Sequence, residues 1–176
     1  MAIESERARV FFAAWPTPEV QRSLGDVARQ ADECGGRAVP AHNIHLTLVF
    51  IGDVPRPRVA ELEALGSTIV APRFDLVVDR LEYWRHNRIL WAGVEEYPPA
   101  LRALVERLQE PAAAGGFRIE RRPYVPHITL RRDARRAPAS ARIHVAWPVT
   151  EFALMESAQR ERGRGYEGLR KWPLTA

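Results

Sequence analysis

Cysteine is almost absent from this chain: Cys34 stands alone among 176 residues. A single thiol excludes any intrachain disulfide and any zinc site built mainly from thiolates, and it fits a reducing compartment. Lysine is equally scarce, since every basic residue except Lys171 is arginine. No apolar run approaches the roughly 20 residues that span a bilayer. The stretch from Met1 to Arg9 mixes Glu4, Glu6, Arg7 and Arg9 with few apolar side chains, which is unlike a targeting segment, so the cytoplasm is the expected location with no membrane partner. No His-Glu-x-x-His pattern or clustered aspartates offer metal ligands, and the glycine pairs lack both the Walker lysine and the dinucleotide spacing. No cofactor and no metal are expected.

What is present suits one globular domain spanning 1–176, folded as a monomer. Apolar residues make up 46% and charged residues 27%, enough to bury a core without outside support. The net charge of +4 would favour an anionic partner. Arginines concentrate at Arg118, Arg121, Arg122, Arg131, Arg132, Arg135 and Arg136, where guanidinium forks suit phosphate oxygens and a plain solvated surface fits equally well.

The strongest signal is a repeated tetrapeptide, His45-Leu46-Thr47-Leu48 and His127-Ile128-Thr129-Leu130. In a strand, residues i and i+2 share a face, so each copy sets an imidazole beside a hydroxyl while its apolar residues enter a core. A single copy would read as a satisfied strand histidine. Two copies in matched apolar settings point to one site assembled from two halves. His42, His86 and His144 share no such pattern and receive no role.

The surrounding elements repeat loosely. Val10 to Trp15 reads as a strand, and Thr17 before Pro18 caps a helix with Val20, Leu24, Val27 and Ala28 on one face, ending near Gly35-Gly36. The first tetrapeptide lies in a strand from about Ile44 to Ile51, closed by Gly52-Asp53. A helix over Arg58 to Ile69 follows, then strands Phe74–Trp84 and Ile89–Val94 joined at Arg85-His86-Asn87-Arg88. A helix opened by Pro98-Pro99 should end at Gly115-Gly116. The second strand is expected over Val125 to Leu130, and Arg142 to Leu154 supplies at least one more, interrupted by Pro148. This order implies an α+β fold of two related lobes facing each other.

The chain resembles the two-histidine phosphoesterases, within them the RNA 2′,3′-cyclic phosphodiesterases once described as 2′-5′ RNA ligases. Arg9 to Ala13 is similar to that family's opening strand, Asn43 to Gly52 to its first signature and Tyr124 to Leu130 to its second, with Phe152 to Ser157, Tyr166, Leu169 and Trp172-Pro173-Leu174 matching its tail. The resemblance implies two pseudo-symmetric lobes with antiparallel sheets and flanking helices around a central cleft. It further implies metal-independent hydrolysis of a 2′,3′-cyclic phosphate on RNA or a small cyclic nucleotide, giving a 2′-phosphate; minor 2′-5′ ligation, in which a 5′-hydroxyl rather than water opens the cyclic end, is a second reading in the same fold. On the same ground His45 is the proton donor, His127 the proton acceptor, and Thr47 and Thr129 the phosphate ligands. Around them, strand alternation favours Arg131 on the histidine face whereas the resemblance favours Arg132. Tyr124 and Phe12 are candidates to stack on a base, Phe12 having core packing as an equal alternative. A non-catalytic RNA- or nucleotide-binding module is the competing reading.

Overall fold

A computed structural model describes residues 6–161 and 163–176; the first five residues, with the charged Glu4, lie outside it. Nine strands and three helices occur among the described residues: β1 Arg7–Ala14, α1 Pro18–Gln30, β2 Arg37–Ala38, β3 Leu46–Pro55, α2 Val59–Thr68, β4 Phe74–Trp84, β5 Ile89–Gly93, α3 Pro99–Ala114, β6 Ile128–Arg132, β7 Arg142–Val149, β8 Glu151–Arg160 and β9 Gly163–Pro173. They form two antiparallel sheets, one ordered β3-β1-β8-β9 and the other β2-β6-β5-β4-β7. No described helix is long and apolar enough to cross a membrane.

The helices tie the lobes together. Thr17 caps α1 through Oγ1, which accepts from the Val20 amide at 3.3 Å, and Pro18 supplies its first position. Although α1 follows a strand of the first sheet, it packs on β6 and β7 of the second; α3 follows the second sheet's hairpin and packs on β3 of the first. One apolar cluster therefore runs through both sheets, with Phe12, Leu24, Leu48, Leu76, Leu104, Leu130, Trp147 and Phe152 each at most 2% exposed. Burying such side chains contributes about 1.5–3 kcal/mol apiece before entropy is subtracted.

Three expectations need revision. Gly52-Asp53 does not close β3; Gly52 adopts φ +87° at a bulge and the strand continues to Pro55 against β1. The second tetrapeptide's strand begins at Ile128, because Pro123 and Pro126 keep the approach irregular. Arg142 to Leu154 holds two strands, and Pro148 is tolerated because β7 is the edge of its sheet.

Candidate active site

His45 and His127 stand immediately before β3 and β6, the two strands that carry the tetrapeptides. Exposure along the two strands follows one sequence: buried, partly exposed, buried, buried, exposed, from Leu46 to Phe50 and from Ile128 to Arg132. The repeat has a backbone cause. Against β1, Ala13 pairs with Thr47 and Phe12 with Val49, leaving Leu48 as an extra residue; against β5, Trp91 pairs with Thr129 and Leu90 with Arg131, leaving Leu130 extra. Each strand thus bulges directly after its threonine. The bulge places two successive side chains inward and returns the third to the cleft, which is Phe50 in one lobe and Arg132 in the other.

That bulge corrects the expectation from strand alternation: Arg131 is not in the cleft. It is 7% exposed, and its guanidinium donates to the carbonyls of Gly35 at 2.8 Å, Ala28 at 2.6 Å and Gly36 at 3.1 Å. Arg131 pins the end of α1 to β6, where a cation also suits the helix dipole. Gly36 makes that approach possible, since a Cβ there would stand 2.1 Å from the Arg132 carbonyl. Phe12 is likewise corrected. It is fully buried and lies against Trp172, with ring centroids 6.2 Å apart, while its neighbour Phe11 lines the cleft. Tyr124 is absent from the cavity that holds both histidines but lines an adjoining one with His127, Thr47, Phe50 and Trp84, at the edge of the site; its hydroxyl donates to the Thr47 carbonyl at 2.8 Å, joining the approach to one signature strand to the backbone of the other.

A cavity of about 230 Å³ brings together His45, Thr47, His127, Thr129 and Arg132. Arg9 and Arg164 also line it, and no acidic side chain does among the described residues. Of the arginines clustered around the second tetrapeptide, Arg132 alone reaches this cleft; Arg118, Arg121, Arg122, Arg135 and Arg136 are exposed elsewhere, and Arg122 pairs with Glu120 at 2.9 Å. No three His, Cys, Asp or Glu side chains gather as a metal site among the described residues.

The two imidazoles are held alike. His45 Nδ1 lies 2.7 Å from the Asn43 carbonyl and His127 Nδ1 lies 2.9 Å from the Val125 carbonyl, each two residues back. A carbonyl only accepts, so Nδ1 carries the proton, and in the neutral ring Nε2 keeps a free lone pair. Aromatic rings enclose both. Trp15 stacks on His45 at 5.0 Å and 6°, with Phe11 at 5.1 Å and Tyr166 edge-on at 4.9 Å. His127 has Trp84 at 4.7 Å and Trp91 at 6.1 Å.

Burial pushes the His45 imidazole down to about 4; the Asn43 carbonyl opposes that shift, while Arg132 and His127 add to it. His127 is also held below the ordinary imidazole value by burial, against the Val125 carbonyl, but less far. These aromatic enclosures escaped the sequence reading because Trp15, Trp84, Trp91 and Tyr166 come from four separate segments. Phe11 and Phe12 differed only in strand parity, which a sequence with adjacent phenylalanines leaves open.

The chain matches the LigT-like phosphoesterase family model over residues 15–91 and 93–164, and each segment contains one tetrapeptide. It is 35% identical over 174 residues to an RNA 2′,3′-cyclic phosphodiesterase of Escherichia coli, covering 97% of this chain and 99% of that one. A protein of the same name from Thermus thermophilus is 32% identical, with coverage of 94% and 90%. The crystal structure of E. coli LigT complexed with 3′-AMP superimposes with a TM-score of 0.89 at 34% identity, covering 97% of this chain and all of that one. The paired bulged strands thus carry the two signatures of a known architecture, and the chain belongs to the LigT-like phosphoesterase family.

Proposed function

We propose that this protein is an RNA 2′,3′-cyclic phosphodiesterase whose one catalytic unit, built from both lobes, leaves a 2′-phosphate. The observation that carries the reading is the shared geometry of the histidines: one tautomer, imposed by the carbonyl two residues back, on two rings that line one cleft with two threonines. Opening a cyclic phosphodiester requires one proton to leave the attacking water and another to reach the departing ribose oxygen. His127 Nε2 takes the first. The water oxygen bonds to phosphorus, the P–O3′ bond breaks, and His45 Nε2–H protonates O3′.

Thr47 and Thr129 donate their hydroxyl protons to the non-bridging oxygens, where charge grows in the transition state. Arg132 supplies a positive charge at the same wall. In the empty site both imidazoles are neutral at pH 7, so His45 must be loaded with a proton. The bound phosphate anion does this, because an opposite charge nearby raises an imidazole's affinity for protons. A non-catalytic binder would have no use for two rings held in one reactive tautomer. The substrate is the cyclic-phosphate end of RNA, with small cyclic nucleotides as its shortest form.

The test is hydrolysis of a short RNA ending in a 2′,3′-cyclic phosphate by chelator-treated protein, with 2′- and 3′-phosphate products resolved. Exclusive 2′-phosphate, lost in both His45→Ala and His127→Ala, is expected. Binding of that RNA without turnover would overturn the assignment.

A further inference from the structure

The cyclic phosphate carries one negative charge, yet three guanidiniums line the cleft without an acidic neighbour there, which is more than one monoanion requires. Arg132 sits with the His127 lobe. Arg9 and Arg164 sit in the other lobe, beyond the rings around His45. Arg9 on β1 pairs across the sheet with Ser157 on β8, and Ser157 pairs with Tyr166 on β9, the ring 4.9 Å from His45. Arg164 lies two residues before Tyr166 and therefore on the same face of β9.

Two polar atoms in this patch lack partners. Arg9 Nε and Ser157 Oγ are buried with no hydrogen bond to any described residue, although most buried donors find one. Among the described residues, the guanidinium's only ion pair is long and exposed, to Asp53 at 3.4 Å, and such pairs hold weakly. Its head also lies 4.8 Å from the exposed Phe50 ring, so a rotamer change can turn it toward a ligand without unpacking the core.

We infer that Arg9, Ser157 and Arg164 form a second anion subsite, which holds the phosphate on the 5′ side of the cyclised nucleotide. The inference rests on the phosphodiesterase reading above. If His45 protonates O3′, the ribose lies on the His45 side of the phosphorus, and its C5′ continuation leaves over the same lobe. The next group along the RNA with negative charge is the 5′-phosphate of that ribose. Two guanidiniums and a hydroxyl match its oxygens in number and kind.

The test compares adenosine 2′,3′-cyclic phosphate bearing a 5′-hydroxyl with the same compound bearing a 5′-phosphate. The wild type should favour the 5′-phosphorylated compound by about tenfold or more in kcat/KM, chiefly through KM. In Arg9→Gln and Arg164→Gln that ratio should fall to near one, and in Ser157→Ala it should fall part of the way. The ratio is internal to each variant, so a general loss of activity does not disguise the result, and Arg164 is exposed enough to replace without disturbing the fold. Equal use of both compounds by the wild type, or a ratio retained in the Arg9 and Arg164 variants, overturns the subsite alone. Turnover of neither compound overturns the phosphodiesterase reading and the subsite with it.

Discussion

His45 and His127 stand before strands with the same burial sequence and the same bulge, yet three aromatic rings surround His45 and two lie against His127. The shared backbone gives both rings one tautomer. The unlike surroundings give them unlike proton affinities, with His45 pushed down to about 4 and His127 less displaced. A ring with lower proton affinity is the stronger acid once loaded, and the less displaced ring is the stronger base. In the proposed reaction, backbone repetition would supply the symmetry for in-line attack, and side-chain burial would divide the labour between donor and acceptor.

The comparison can be broken most severely at the threonines. Thr47→Val and Thr129→Val remove equivalent hydroxyls from the two halves, and each should cost about 2–4 kcal/mol in kcat/KM. Steady-state kinetics on a cyclic-phosphate dinucleotide checks this; loss in only one variant would mean that the halves hold the phosphate unequally.

Proton affinity sharpens the contrast. Under the proposed assignment the productive free enzyme has His45 charged and His127 neutral, so kcat/KM should peak between about pH 4 and the ordinary imidazole value near 6.5 and decline above it. Binding adenosine 2′-phosphate at pH 7 should draw in up to about one proton, read from calorimetry in buffers of different ionisation enthalpy. Zero uptake would contradict loading by phosphate. Folding is linked with the same sign: as pH falls from about 6.5 toward 4, unfolded imidazoles take up protons that the buried ones do not, and stability declines.

Tyr124→Phe makes the smallest change, deleting the hydroxyl that joins the approach to β6 to the Thr47 carbonyl. It should cost about 1 kcal/mol in stability by urea unfolding and slow hydrolysis several-fold as the two halves lose their tie. A variant less stable but fully active would confine Tyr124 to folding.

Much of this was legible in the sequence because it is local. The Thr17 cap, the Phe74–Trp84 and Ile89–Gly93 hairpin and the paired tetrapeptides follow from spacing and turn chemistry. Alternation failed at Arg131, where the extra residue Leu130 reverses parity in a way that only the partner strand reveals. β9 was missed because Arg164, Gly165, Glu167 and Gly168 form an exposed edge with little apolar alternation. The unpartnered Arg9 and Ser157 atoms emerge only when β1 and β8 are set in register.

The division of labour is tested most directly with an RNA whose cyclic phosphate carries sulfur in place of the bridging 3′-oxygen, a leaving group that needs no proton. On the ordinary substrate His45→Ala and His127→Ala should each lose about 10²–10⁴-fold in rate. On the sulfur substrate His45→Ala should recover most of its loss while His127→Ala stays impaired. Rescue of His127→Ala instead, or equal behaviour of the two variants, would contradict the assignment of donor and acceptor.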